Sequence, residues 1–236
     1  MSISSPGAKI FQMPEPNEEE SNNLPSGMLT LFLAGKIKNK TTSQDEVGYF
    51  LDIFNKLFNS RDIIVSLLNI QQGLSKELLN SWDETKKEEI AYELDNFYLR
   101  VYMFHQRMIQ LINSVYLNLS PSNTSISNEI KSNKKTKKAA VLLDNFEQRN
   151  SEALKTRRLL THQSFEHYPS LPMPSLFNKN ELIRKEREKE IYEEISKNKI
   201  KETNGVLKEC VKFFDETCNV ILVDVCNSFG KISRIF

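Results

Sequence analysis

An arginine and a histidine late in the chain, Arg157 and His162, are the residues whose types and spacing could do chemistry together. An arginine guanidinium is a planar cation that matches two oxygens of a phosphodiester. A histidine exchanges a proton near neutral pH. The pair is a minimal apparatus for cutting RNA without a metal. His162 would act as general acid and base, and Arg157 would bind the scissile phosphate and stabilise the charge that develops on it.

The helical pattern around Arg157 places this charge where a hydrophobic residue is expected. A buried guanidinium costs free energy unless it is paired or faces a wet cleft, so the position marks Arg157 as a candidate functional group. We predict that Asn150, the other polar member of the seam, and Arg158 bind substrate beside it. The seam alternates steps of four and three residues through Ala139, Leu143, Phe146, Asn150, Ala153, Arg157 and Leu160.

The geometry of a continuous helix leaves two arrangements open. Residues five apart point about 140° away from each other, whereas Arg158 and His162, four apart, share a face. Either the helix ends before His162 and the ring turns back toward Arg157, or Arg158 is the working cation. A structural alternative pairs Arg157 with a carboxylate such as Glu152 or Asp144.

The composition predicts an all-α protein. The chain has 236 residues, 39% of them hydrophobic and 27% charged, with only seven glycines and no series of short β-branched segments separated by turns. Four helical patterns joined by short or stiff loops predict a four-helix up-and-down bundle. We expect helices over 44–80, over a seam from Ile90 to Val115, from the lysines at 131–138 onward, and from about 178–181 to Ile232 with a break at Asn204 and Gly205.

The first 26 residues differ from the rest because they are rich in proline and acidic residues. Such a composition buries too little apolar surface to offset ordering, so we predict a flexible arm over 1–26 and a bundle over 27–236. Leu29 to Leu33 could still dock on the bundle as a short helix or an extended piece. No secretory signal or membrane-spanning stretch is evident, which favours a cytoplasmic protein without a membrane partner.

Polyanion binding by this chain has to be local, because the formal net charge is only +1. The candidate patch consists of five lysines, which are either a solvated charge run or a group that contacts phosphates. A second arginine and histidine, Arg100 and His105, repeat the spacing of Arg157 and His162. The simpler interpretation of that pair is an ion-pairing arginine and a boundary histidine. The five lysines are Lys131, Lys134, Lys135, Lys137 and Lys138.

The sequence predicts neither a metal nor a cofactor. It has no paired-cysteine zinc spacing, no glycine loop for phosphates and no carboxylate cluster set for magnesium. Cys210, Cys218 and Cys226 recur every eight residues on one helical pattern, about 12 Å apart, and so cannot pair within it. We expect them to be reduced thiols, as in cytosolic proteins.

Two stretches carry a resemblance to a known family. The string TRRLLTHQ, which contains Arg157 and His162, is similar to the arginine and histidine motif of HEPN-domain proteins. YLRVYMFHQRMIQLINSVY resembles the apolar second helix of one branch of that family, and the likeness covers roughly 45–232. It implies a helical bundle that forms a homodimer, with two motifs sharing one cleft. It also implies a ribonuclease of the toxin, antiphage-defence or RNA-processing kind, acting on RNA and held in check by a protein antitoxin or regulator.

Two other functions belong to different classes. The same cleft could bind RNA or a protein partner without cleaving anything. Alternatively the bundle is a scaffold whose function lies in the acidic arm or in the mixed-charge part of the last helix.

Overall fold

The computed structural model describes residues 25–38, 43–80, 87–120, 125–155 and 181–229. All regular structure in these ranges is helical, which confirms the predicted all-α class. The helices are α1 (Pro25–Lys38), α2 (Gln44–Asn80), α3 (Lys87–Tyr116), α4 (Ile126–Ser132), α5 (Lys137–Arg149) and α6 (Glu181–Phe229). A 3₁₀ turn, Lys134–Thr136, joins α4 to α5, and residues 151–155 are helical beyond a turn at Asn150.

Helices α2, α3, α5 and α6 form the predicted up-and-down four-helix bundle. Tyr49, near the start of α2, donates a hydrogen bond to the carbonyl of Val115 at the end of α3, at 3.1 Å. Arg149, at the end of α5, pairs with Glu209 in α6, whereas Lys138 at the start of α5 lies near Asp224. Both helix pairs are therefore antiparallel.

Two tyrosines of α3 reach α6, which runs parallel to it. The Tyr98 hydroxyl donates to Glu202, and the Tyr116 hydroxyl donates to Asp224 at 2.8 Å. Burial and the acidic partners raise the pKa of both hydroxyls. Each tyrosine thus stays a protonated donor and fixes the register of α3 against α6.

The predicted seams form the core. Every seam residue of α3 from Ile90 to Leu111 is buried. The seam of the third helical region is confirmed as far as the structure describes it. Its buried members are Ala139, Leu143, Phe146, Asn150 and Ala153.

Helix α1 packs against α2 and α6. Its Leu29 and Leu33 are fully buried, and the ring of Phe32 meets Phe50 of α2 edge to face at 6.3 Å. Of the two arrangements left open for Leu29 to Leu33, the structure has the helix. Residues 1–24 of the predicted arm lie outside the described residues, and 25–26 belong to α1.

The predicted start of α2 at residue 44 is confirmed, and the structure shows a capping box there. The Ser43 hydroxyl accepts from the backbone N–H of Glu46, and the Ser43 N–H donates to the Glu46 carboxylate at 3.2 Å. This reciprocal pair bonds two amides that a helix start would otherwise leave free.

Two expected boundaries were wrong. Helix α6 continues through Asn204 and Gly205 without a break, because the flanking Thr203 and Leu207 are both buried and anchor it to the bundle. The lysines at 131–138 do not open one helix. Lys131 lies in the last turn of α4, the 3₁₀ turn follows, and α5 begins only at Lys137.

The three cysteines lie on α6 and are free thiols, as expected. Burial raises the pKa of the Cys210 and Cys218 thiols, so both remain protonated. No helix in the described ranges is long and apolar enough to cross a membrane.

Candidate functional site

The predicted catalytic residues, Arg157 and His162, and the predicted substrate contact Arg158 lie outside the described residues, which stop at Lys155 and resume at Glu181. Their roles and the shared cleft stay predictions. The alternative pairing of Arg157 with Asp144 or Glu152 also stays a prediction, although both carboxylates have a described lysine neighbour. Asp144 lies 2.7 Å from Lys131, and Glu152 lies 3.0 Å from Lys155.

Asn150, the fourth predicted site residue, is buried and ends α5. Its side-chain amide and its backbone N–H both donate to the carbonyl of Phe146 at 3.0 Å, and its own carbonyl accepts from Leu154. The seam is polar at Asn150 because this residue ends α5 and its side chain bonds a carbonyl of the last helical turn. A substrate contact by Asn150 stays a prediction.

A cluster of four side chains joins three helices beside that seam. The Nε2 atom of His105 in α3 lies 2.8 Å from Glu147 of α5, and the second oxygen of Glu147 accepts from Lys131 of α4. Lys131 also binds Asp144. The His105 ring is buried and stacks on Phe146 with centroids 6.0 Å apart. The boundary interpretation of His105 fits this position, and the cluster ties α4 to the bundle.

The Glu147 carboxylate is the centre of this cluster. Partial burial pushes its pKa upward, but the hydrogen bonds and charges of His105 and Lys131 outweigh that effect, so the pKa is lowered overall. A carboxylate with a lowered pKa in the folded state stabilises the fold above its unfolded pKa of about 4.3. That contribution is lost as the pH falls through the folded pKa.

Replacing Glu147 with glutamine should lower the free energy of unfolding by roughly 1 kcal/mol at pH 7, because two charge-assisted hydrogen bonds are lost at a partly exposed site. The difference from the wild type should shrink as the pH falls below about 4, where the wild-type carboxylate is protonated as well. Urea unfolding at several pH values measures both effects. Glu194→Gln, at an exposed position of α6, is the control. A difference that stays constant with pH would contradict this account.

Four exposed lysines gather around the start of α5. They lie on the 3₁₀ turn and the first helical turn. The only described carboxylate within 4 Å of any of them is Asp224, 3.9 Å from Lys138, whose side chain is 70% exposed. We call these residues the lysine cluster: Lys134, Lys135, Lys137 and Lys138.

The start of α5 adds to the positive potential of the lysine cluster. The helix has no side-chain cap, because the hydroxyl of the capping residue Thr136 donates to the carbonyls of Ile130 and Asn133 instead. Unbonded amides and the helix dipole at this end favour a negative charge nearby. Lysines at this end of α5 interact unfavourably with the helix dipole. Their presence is therefore not explained by a contribution to the stability of α5.

A groove of about 190 Å³ lies between α5 and α6. Its floor is Phe146 stacked on Phe213, with ring centroids 4.7 Å apart. Arg149 and Lys212 on its walls are balanced by Glu209 and Glu216. The groove has no net charge, so the lysine cluster is the better site for an anion.

Two polar atoms of α3 are buried without a hydrogen-bond partner, Asp95 Oδ1 and Arg100 Nε. Burial raises the pKa of Asp95 to about 6. The two residues lie five positions apart on the helix, so their side chains point away from each other. The ion-pairing role expected for Arg100 finds no partner in the described ranges. Within those ranges no group of three potential ligands could hold a metal.

Comparison of the chain with protein-family models, curated proteins and solved structures gives no match. A function for this chain is therefore inferred from its own residues.

Proposed function

We propose that this chain is a homodimeric helical module of HEPN type that binds RNA and cleaves it without a metal. Arg157 binds the scissile phosphate and His162 moves the protons, as their types and spacing suggest. The observation that carries RNA as the partner is the lysine cluster. It concentrates positive charge at one end of a molecule whose formal net charge is only +1.

The lysine cluster suits a phosphate backbone. Lysine contacts with phosphates release counterions and give affinity without sequence preference. Lys134, Lys135 and Lys137 have no described ion pair within 4 Å, so phosphate contacts there would not have to break existing pairs. The uncapped start of α5 adds amide donors at the same place.

The lysine cluster and the arginine and histidine motif have separate tasks in this proposal. From Lys137 to Arg149, helix α5 rises about 18 Å at 1.5 Å per residue, and the turn at Asn150 and residues 151–155 follow before the motif. A strand held by the lysines would therefore have to run the length of α5 to reach that end. The lysines should affect how tightly RNA binds, and not the rate of the chemical step.

Replacing all four lysines of the cluster with glutamine should weaken binding of single-stranded RNA at least about tenfold. The slope of log affinity against log salt should become shallower by about 0.7 for each phosphate that the variant no longer binds. Removing cations from a helix start also relieves an unfavourable interaction with the dipole, so the variant should fold. Fluorescence anisotropy with a labelled oligonucleotide at several salt concentrations measures both effects.

A matched control removes the same charge elsewhere. It replaces four exposed lysines away from the start of α5 and away from the arginine and histidine motif, namely Lys76, Lys197, Lys201 and Lys208. If this control loses as much affinity as the cluster variant, binding follows net charge and the lysine cluster is not the site.

The proposal places the protein in the cytoplasm, where RNA is present and where buried thiols such as Cys210 and Cys218 stay reduced. An active ribonuclease endangers the cell that makes it. A protein antitoxin or regulator is therefore part of the proposal, with a role as a toxin or antiphage effector.

A further inference from the structure

The groove between α5 and α6 lies along the helix that a bound RNA strand would follow. One face of α5 carries, at steps of four and three residues, Lys138, Leu142, Asn145 and Arg149. This face points to α6, because Arg149 pairs with Glu209. The last three of the four residues line the groove. The groove therefore begins about one helical turn beyond the lysine cluster and extends toward the end of α5, after which the arginine and histidine motif follows in the chain.

We propose that this groove is a subsite for one unpaired base of the RNA. The inference rests on the proposed function, since it assigns a further contact to the same bound strand. The volume of about 190 Å³ is below the roughly 300–1,000 Å³ of pockets that hold drug-sized ligands, so a single heterocycle suits it. The lining carries two cations and two anions, which favours a neutral ring over a phosphate.

The floor and one wall of the groove offer the apolar contacts that a base requires. The floor is apolar, since Phe146 and Phe213 are buried beneath it. One guanidinium nitrogen of Arg149 lies 3.2 and 3.1 Å from the two carboxylate oxygens of Glu209, which holds the arginine side chain at the wall. A planar guanidinium held in this way can stack on the face of a base.

Asn145 supplies hydrogen-bonding groups at the rim of the groove. Its side chain is exposed and makes no hydrogen bond with another described residue. The amide has an acceptor oxygen and two donor hydrogens, so it can pair with the edge of a base. Bases of a duplex are already paired and stacked, and extruding one costs free energy. The groove thus selects single-stranded RNA.

The test compares a labelled single-stranded RNA oligonucleotide with an abasic form that has the same sugar and phosphate backbone. Fluorescence anisotropy with the full chain measures both affinities. The wild type should bind the normal oligonucleotide about tenfold more tightly than the abasic one, because one base gains a stacking and hydrogen-bonding site. In a double variant, Asn145→Ala with Arg149→Ala, this ratio should fall below about twofold.

Controls separate the base from the backbone. The variant without the lysine cluster should bind both oligonucleotides less tightly and keep the wild-type ratio, since the lysines contact phosphates. A matched variant, Gln148→Ala with Arg61→Ala, removes an exposed amide and an exposed arginine outside the groove and should also keep the ratio. Arg149→Lys preserves the charge but loses the planar group, so it should lower the ratio without changing affinity for the abasic form. Circular dichroism checks that each variant is folded.

The possible failures are distinguishable. Equal binding of the normal and abasic oligonucleotides by the wild type would overturn the inference and leave the role of the lysine cluster intact. A double variant that keeps the wild-type ratio would show that the base binds elsewhere. If the wild type binds neither oligonucleotide, the proposed function itself fails.

Discussion

The purified protein should cleave single-stranded RNA in the presence of EDTA, and Arg157→Ala or His162→Ala should slow cleavage by about 10²- to 10⁴-fold. Without His162 no group of suitable pKa is predicted to take the proton from the 2′-hydroxyl. Without Arg157 the charge that develops on the phosphate loses its partner. Gel analysis of an end-labelled oligonucleotide under single-turnover conditions measures the cleavage rate without interference from product release.

Arg61→Ala is a suitable control for this experiment. Arg61 is an exposed arginine of α2, apart from the motif, the lysine cluster and the groove, so its loss should leave the cleavage rate unchanged. Arg158→Ala shows which arginine is the working cation, since only the working residue should slow the reaction strongly. Unchanged cleavage in both the Arg157 and the His162 variants would remove the assignment. RNA that the wild type binds but leaves uncut in EDTA would favour the non-catalytic binding module.

The helices whose buried apolar residues recur at helical spacing were predicted from the sequence. The seam of α3 steps by four and three from Ile90, and the structure buries it as expected. Helix α2 begins at the predicted residue, where Ser43 and Glu46 form a capping box. In these helices periodicity and local capping agree, so a single sequence contains enough information to place them.

The errors arose where tertiary contacts override local preference. Asn204 and Gly205 favour a helix end, yet buried neighbours keep α6 continuous through both. The turn between α4 and α5 was missed, although Asn133 gave a signal. Its side chain accepts from the N–H of Lys135 and so favours a cap over a helix interior.

The candidate site was less predictable than the fold. The pairing of His105 with Glu147 joins residues 42 positions apart on different helices, and no local pattern encodes it. The lysine cluster was visible as a run of charges. Its exposure, its few acidic neighbours and its place at an uncapped helix start became known only from the packed chain.

Replacing Phe146 with alanine should have the largest effect on stability, because its ring joins three helices. Fully buried on α5, it stacks on Phe213 of α6, meets Phe104 of α3 edge to face at 5.9 Å, and supports the ring of His105. Removing such a ring leaves a cavity and should lower the free energy of unfolding by about 3–5 kcal/mol, a large fraction of the roughly 5–15 kcal/mol typical of a domain.

Urea unfolding followed by circular dichroism measures the loss of stability in the Phe146→Ala variant. Val141→Ala, on the exposed side of α5, should change stability by no more than about 0.5 kcal/mol. Phe146→Leu keeps most of the volume, so it should cost less than the alanine change. The ring also holds His105 against Glu147, so the stability that Glu147 contributes at pH 7 should fall in the Phe146→Ala background. A loss below about 1 kcal/mol would show that α5 does not pack against α3 and α6 as described.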